Sequence, residues 1–443
     1  MPEPSSSKPP SREASPVPPT IRLMRLPRNV WVLTLTSFLT DVSSEMLTAI
    51  LPLYLSNVLG ARTAVIGLIE GTAETTASAV KIVSGHLSDR LGRRKGLTVA
   101  GYALSTAVKP LLLFASSWFS ILGVRFLDRV GKGIRTAPRD ALLADSTSSS
   151  QRGLAFGIHR AGDTAGALVG MLVALAVVWA SDRHALVISH PLFQTLVLLC
   201  IVPAILAVAA LACFARETKS KSPPNSLQKL SLRPFDARFK KFLLITVVFT
   251  LGNSSDAFLI LRAQQAGLSV AGILGMMICF NIVYTVAAGP AGALSDRVGR
   301  RRVIIAGWLG YAFIYLGFAF ADTGPQIWLL MTLYGLYYAA TEGAAKAFVA
   351  DLVPSSLRGT AYGVYNAAVG IAALPASLCA GILWQGVGSW HGLGPSAPFL
   401  LSAILALYAC ALLAFLVPPQ PRPGTNAPHH LTFQAPPQDQ PEA

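Results

Sequence analysis

Long apolar runs broken by short basic or polar stretches organise this chain. Examples are "PLFQTLVLLCIVPAILAVAALACF", "ILGMMICFNIVYTVAAG" and "PFLLSAILALYACALLAFLVP". A bilayer core takes about 20 apolar residues per helix, so the roughly 390 residues between the polar ends leave room for about a dozen spans. The pattern predicts helices over 29–58, 64–88, 97–116, 118–144, 152–180 and 192–214. Six more follow over 241–264, 269–294, 301–321, 326–350, 358–386 and 396–417. The expected organisation is a disordered Pro/Ser-rich tail (1–27), a six-helix unit (28–214), a basic linker (215–240), a second six-helix unit (241–417) and a disordered tail (418–443).

Composition agrees with a membrane protein. The chain is 53% hydrophobic and 13% charged, whereas a soluble domain devotes about a quarter of its residues to charge. The net charge of +15 is placed in alternate loops. Arg22, Arg25 and Arg28 precede the first span, and Arg90, Arg93, Arg94 and Lys95 follow the second. A basic run follows the sixth span, and Arg297, Arg300, Arg301 and Arg302 follow the eighth. The intervening loops, such as "LFASSW" and "FADTGPQ", carry almost none. This bias predicts a multi-pass protein of the cytoplasmic (inner) membrane with both termini in the cytoplasm. It argues for a lipid bilayer and against nucleic acid as partner. The five cysteines fall in apolar runs and read as small core residues, with neither metal nor cofactor expected. The first span is expected to serve as its own insertion signal.

The halves echo each other. "GHLSDRLGRRK" (Gly85–Lys95) recurs as "GALSDRVGRRR" (Gly292–Arg302), and "DSTSSSQRGLAFG" (Asp145–Gly157) recurs as "DLVPSSLRGTAYG" (Asp351–Gly363). Both matches share an offset of about 207 residues, so a duplicated six-helix unit is expected, with a solute site between the copies. At these residues the chain resembles the major facilitator superfamily, whose loop pattern G-x-L-(S/A)-D-R-x-G-R-(R/K)-(R/K) is met by both copies. The resemblance covers roughly 28–417. It implies an all-α membrane fold of 12 transmembrane helices in two pseudo-symmetric six-helix bundles, working by alternating access.

The loop motif has its own physical logic. Gly85 and Gly92 permit close helix approach and a tight turn, and Asp89 can pair with Arg90, Arg93 or a neighbouring helix N-terminus. A conformational latch is therefore expected from Gly85, Asp89, Arg90, Gly92 and Arg93. Its second copy comprises Gly292, Asp296, Arg297, Gly299 and Arg300, and Arg152 and Arg358 of the other repeated segment join the two sets. The competing reading is a basic loop that only sets topology.

Inside the fourth span lies "RFLDRVGKGIRTAPRD", residues 125–140. At about 1.5 Å per residue, Arg125 sits roughly 10 Å below Trp118, Arg129 and Lys132 lie near mid-membrane, and Arg139 is about 31 Å down. With about 100° per residue, these cations, Arg135 and Asp128 share an arc of roughly 120°. Each intramembrane charge costs about 2.5–3.5 kcal/mol even on the lenient insertion scale, so Arg125, Arg129 and Lys132 are expected to face a wet cavity. Arg135 and Arg139 could instead snorkel to the headgroups.

Candidate carboxylates are Asp41 and Glu45 in the first span, Glu70 and Glu74 on one face of the second with Lys81, and Asp128. Opposed by nearby cations and by burial, such groups can load and release protons. In the resembled superfamily the first and fourth helices line the cavity, which would turn Asp41 and Glu45 toward the fourth-span stripe. His159, Arg160 and Asp163 form an i, i+3, i+4 group in the fifth span, and Lys109 is embedded in the third. In the second half, Asp256, Asn281, Tyr284 and Tyr338 offer polar edges for a ligand, whereas Glu342 and Lys346 read as a self-satisfied i, i+4 pair. "RFLDRVG" partly matches the superfamily motif R-x-x-Q-G-x-G, whose Arg is linked to proton coupling; Arg125 takes that position, while Asp128 and Arg129 depart from the pattern. The fifth span lacks the Gly-Pro core of the antiporter motif.

No phosphate-binding loop, H-E-x-x-H or G-x-S-x-G is present, which argues against a pump driven by nucleotide and against an enzyme. The sequence therefore predicts a monomeric secondary transporter, proton-coupled, for a small anionic or zwitterionic solute. Two other readings stay open: a proton-coupled multidrug exporter, and a sensor of transporter fold that binds a ligand without moving it.

Overall fold

The computed structural model describes residues 26–148, 151–218, 232–354 and 357–418. The expected disordered tails and the middle of the linker fall at 1–25, 419–443 and 219–231, outside these residues. The described chain is all helical. The first half comprises α1 (Arg28–Thr48), α2 (Ile50–Asn57), α3 (Thr63–Leu91), α4 (Lys95–Val108) with a 3-10 extension (Lys109–Phe114), α5 (Trp118–Asp145), α6 (Arg152–Asp182) and α7 (His190–Phe214). The second half comprises α8 (Ala237–Leu251), α9 (Ala257–Gln265), α10 (Val270–Val298), α11 (Arg300–Phe320), α12 (Gly324–Asp351), α13 (Arg358–Gln385) and α14 (Ala397–Leu416).

Three expected single helices are interrupted, each for a local reason. The first span breaks at Ala49 into α1 and α2, because Pro52 has no N–H to return to the carbonyl of Thr48. The third ends as a 3-10 turn after Lys109, whose N–H donates to Thr106 instead of a residue four back, and Pro110 follows without a donor. The seventh is divided by "GNSSD", 252–256, between α8 and α9, a run of residues whose side chains compete for backbone partners.

Seven spans are long and apolar enough to cross a membrane by length and composition: α4 with its extension, α6, α7, α10, α11, α13 and α14. The rest are the two broken spans and α3, α5 and α12, which carry Glu70 and Glu74, the cationic run, and Glu342 with Lys346. These less apolar spans all contribute residues to the cavities described below, which α6, α10 and α13 also line.

Packing repeats from one half to the other. In the first, α1 packs on α6 and α7, α5 on α3 and α4, and α4 on α7. In the second, α8 packs on α13 and α14, α12 on α10 and α11, and α11 on α14. Every pairing in one list has its counterpart in the other, which is the pseudo-symmetry the sequence repeat predicts. The halves meet chiefly along α3–α13 and α6–α10.

The α3–α13 seam is tight at the end marked by Thr63 and Gln385. The Thr63 N–H donates to Gln385 Oε1 at 2.8 Å, and its hydroxyl donates to the Gly381 carbonyl at 2.8 Å. A Cβ on Gly67 would sit 2.1 Å from the Ser377 carbonyl oxygen, and one on Gly381 would sit 2.3 Å from that of Thr63. Only the missing side chains let the backbones come this close. The last seam bond, Thr75 Oγ1 to the Gly370 carbonyl at 2.7 Å, marks where the helices part. Beyond it Ile82, His86 and Asp89 of α3 and Tyr362 and Asn366 of α13 border open space. The molecule is thus sealed at one end and open at the end bearing the repeated loop motif.

Candidate functional site: a charged cavity between the halves

The open space is a cavity of about 1720 Å³ lined by α3 and α5 on one side and by α13, Tyr338 and residues 253–257, at the break and the start of α9, on the other. On α3, Glu70 and Glu74 stand one turn apart; on α5, Arg125 and Arg129 do the same, so parallel faces form a two-rung ladder. Arg125 Nη2 lies 2.8 and 2.7 Å from the two Glu70 oxygens, with both side chains almost buried (13% and 12% exposed). Arg129 reaches Glu74 at 3.5 Å, and that carboxylate is 51% exposed. The Nε–H groups of both arginines are buried and have no hydrogen-bond partner among the described residues. A stranded donor of this kind costs about 1–3 kcal/mol, so the ladder holds unused capacity for an acceptor.

The expected single stripe of cations divides at its edges. An arc of about 120° is wide enough to touch two neighbouring helices, and α5 packs on both α3 and α4. Arg125 and Arg129 turn to α3. Arg135 turns to α4, where its guanidinium lies 4.4 Å from the centre of the Tyr102 ring and donates to Ser105 Oγ at 2.8 Å. With 7% exposure it does not snorkel. Arg139 stays at the motif end, bonded to Asp140 at 2.9 Å and to Ser37 Oγ at 3.0 Å. Lys132 is exposed, and Asp128 half-buried. Buried Lys109 is held by the hydroxyls of Ser43 and Ser44 on α1. Asp41 and Glu45 form no ion pair within 4 Å among the described residues. The cations they feel are Lys132 and Arg135 for Asp41, and Lys132, Arg129 and Arg125 for Glu45.

A second cavity of about 460 Å³ opens beside the first, between α5, α6, α10 and α12. His159 Nδ1 lies 3.6 Å from Asp163, and its Nε2 lies 3.1 Å from Ser37 Oγ. Arg160 points across to the other half and donates to Tyr284 Oη at 3.4 Å; Tyr284 in turn donates to Glu342 at 2.5 Å, and Lys346 donates to Glu342 at 2.8 Å. Glu342 is therefore more than a partner for Lys346. Asn281 lines neither cavity: its amide donates to the Met277 carbonyl at 2.9 Å in its own helix. Asp256 and Tyr338 line the large cavity.

The first copy of the repeated loop pairs differently from the expectation. Asp89 approaches Arg94 (3.6 Å), not Arg90 or Arg93, and Arg94 Nε binds Asp145 of α5 at 2.8 Å. In the second copy Arg300 binds Asp296 at 3.4 Å and also Asp351 of α12. Asp145 and Asp351 head the second repeated segment, and their recurrence was the signal that could have marked them. Glu217 adds a cap, accepting from the N–H groups of Arg94 (2.9 Å) and Lys95 (3.1 Å) at the start of α4, where a carboxylate meets the helix dipole favourably. Gly92 adopts φ +61° as the residue ending α3 and Gly299 φ +103°, but a Cβ on Gly292 would meet open space, so close approach is not its role. Gly85 does approach α5: a Cβ placed on it would sit 3.2 Å from Ala137 Cβ. Arg90, Arg93, Arg297 and Arg152 are exposed, and among the described residues Arg358 donates to the Ala350 carbonyl, at 3.3 Å. Replacing Asp145 by alanine removes the 2.8 Å partner of the mostly buried Arg94 Nε and is expected to destabilise the protein by about 1–3 kcal/mol. Glu217→Ala removes a cap worth about 1 kcal/mol, and thermal unfolding in detergent should rank the two in that order.

Comparison with known proteins agrees with this architecture. The family model described as Major Facilitator Superfamily matches residues 33–279 and 242–437. An MFS-type transporter of Methanocaldococcus jannaschii is 36% identical over 397 residues, covering 88% of this chain and 95% of that protein. The multi-drug resistance efflux pump PmrA of Streptococcus pneumoniae is 24% identical over 335 residues, covering 72% and 80%. The crystal structure of a bacterial homologue of the human lysosomal transporter Spinster, inward-facing and unoccupied, superposes with a TM-score of 0.71 at 16% identity, covering 90% of this chain and 97% of that one. With the repeated loop motif, the mirrored packing and a family match over most of its length, the chain belongs to the Major Facilitator Superfamily of transporters.

Proposed function

We propose that this transporter is a proton-coupled secondary carrier that moves a small solute bearing an anionic group by alternating access. It would sit in the cytoplasmic membrane as a monomer with both termini in the cytoplasm, its units spanning 28–214 and 241–417. The observation that carries this reading is the Glu70–Arg125 and Glu74–Arg129 ladder on the cavity wall, with an unused Nε–H on each arginine. A proton arriving on Glu70 would discharge its hold on Arg125 and free the guanidinium for a solute carboxylate; loss of that proton would return the arginine to Glu70 and expel the solute. The solute is thus held only while the proton is, which couples the two flows. Glu45, which feels Arg125 and Arg129, and Asp41, which shares Lys132 with it, would carry the proton onward. The basic loops border the open end, so the positive-inside rule makes this the inward-facing state.

The test is flux in proteoliposomes under an imposed pH gradient, across small organic anions, zwitterions and lipophilic cations. Wild-type protein should accumulate solute only with the gradient, and Glu70→Gln should exchange solute yet lose more than about 100-fold of its gradient-driven uptake, as expected for loss of a group worth about 3 kcal/mol. Accumulation by Glu70→Gln equal to wild type would defeat the coupling scheme. The multidrug reading keeps one supporting observation, a cavity of about 1720 Å³ that is large for a small metabolite; uptake of lipophilic cations and not anions would favour it.

A further inference from the structure

The N-terminal half answers each carboxylate of its cavity wall with a guanidinium. The C-terminal half does not. Asp256 lines the same cavity, yet no cationic nitrogen lies within 4 Å of it among the described residues, and the charges it feels are those of Glu74 and Glu70. Its position makes this more unusual. Asp256 immediately precedes α9, where an aspartate ordinarily accepts from the first free N–H groups of the helix. That bond is not made. The Ser255 hydroxyl accepts instead, from the Ala257 N–H at 3.2 Å, and the carboxylate turns away to the Tyr334 hydroxyl, which donates at 3.0 Å.

Tyr334 belongs to an aromatic wall. Its ring stands perpendicular to that of Tyr338, with centroids 5.0 Å apart at 85°, and Phe280 meets Tyr338 edge to face at 5.6 Å. Tyr338 itself borders the cavity. A carboxylate without a counter-ion, held by a tyrosine hydroxyl beside ring faces, is the chemistry that receives an alkylammonium group: charge pairing supplies the attraction, and the rings replace lost water.

We propose that Asp256, with Tyr338 beside it, receives a protonated amine of the transported solute, so that the solute is a zwitterion whose acidic end meets Arg125 and Arg129 on the opposite wall. This rests on the transport reading above and narrows its substrate class. The solute would bridge the two halves, and each half would supply the charge the other end needs.

Two measurements test it on the full chain. In the first, a cysteine placed at Asn253 on the cavity wall is modified by trimethylammonium-ethyl or by sulfonato-ethyl methanethiosulfonate, with rates read by peptide mass spectrometry. The cationic reagent should react preferentially, and Asp256→Asn should lower the cation-to-anion rate ratio by about tenfold. An unchanged ratio overturns the proposal, whether or not any solute is transported. In the second, proteoliposomes are offered γ-aminobutyrate, butyrate, butylammonium and a set of common α-amino acids with their amine-free counterparts. Wild-type protein should favour zwitterions, and Asp256→Asn should lose about 10- to 100-fold in kcat/KM for them while its dependence on the pH gradient persists. If Asp256→Asn keeps zwitterion exchange and loses only the gradient, Asp256 is a proton carrier and the amine site is wrong. If wild-type protein moves none of the probes, the transport reading fails, and the labelling ratio alone decides the ammonium site.

Discussion

Arg125→Met is expected to abolish transport and to lower the amount of folded protein, whereas Arg125→Met combined with Glu70→Gln should recover the fold and leave transport absent. The reasoning starts from burial. Both side chains of this pair are nearly hidden, and Arg125 Nη2 reaches both carboxylate oxygens. Removing one partner of a buried pair leaves an uncompensated charge and costs about 3–5 kcal/mol, while replacing both by uncharged groups of similar size is often neutral. Stability should therefore return in the double variant. Flux should not, because the neutral pair can neither exchange a proton nor release an arginine to the solute. Thermal unfolding and gradient-driven uptake, measured on the same three preparations, separate the two properties. If the double variant transports as well as wild type, the ladder is only a packing device.

Gly67→Val should stop transport by a different route. The new side chain would overlap the Ser377 carbonyl oxygen, which is backbone and cannot swing aside. Overpacking of this sort costs about 1–3 kcal/mol, charged entirely to the conformation in which α3 and α13 touch. A conformational equilibrium shifts by about 30-fold for 2 kcal/mol, so the chain should populate the state open at the Thr63 end. The measurement is accessibility of a cysteine introduced at Asn366, which borders the cavity at the motif end. Its labelling by an impermeant reagent from that side should fall about tenfold or more in Gly67→Val. Gly381→Val should behave alike, since its Cβ meets the Thr63 carbonyl. Unaltered labelling in both would mean that the seam yields without changing state.

The sequence made the periodic part of this fold legible. Twelve runs of apolar residues, the alternation of basic loops and two repeated motifs are properties of the chain itself, and helix ends fall within a few residues of those expected. Breaks at Ala49 and 252–256 were harder to read, because neither contains a proline at the break; Pro52 acts from three residues beyond. Which cation meets which acid was not legible. Arg125 and Arg135 differ by only a fraction of a turn on one arc, yet one faces α3 and the other α4, and that choice depends on where neighbouring helices stand. Asp256 was legible as a polar residue in an apolar span. Its refusal to cap α9 required the structure.

The ladder between α3 and α5 also constrains how the polypeptide enters the bilayer. Glu70 leaves the ribosome 55 residues before Arg125, so α3 has no guanidinium to meet when it first reaches the lipid. Two bare carboxylates at depth would each add about 2.5–3.5 kcal/mol to insertion. The early helix must therefore wait at the translocon or the interface, or enter carrying protons, until α5 is synthesised. Biogenesis is then stepwise in helix pairs, and a chain halted between Leu91 and Arg125 should be recognised by quality control as unfinished.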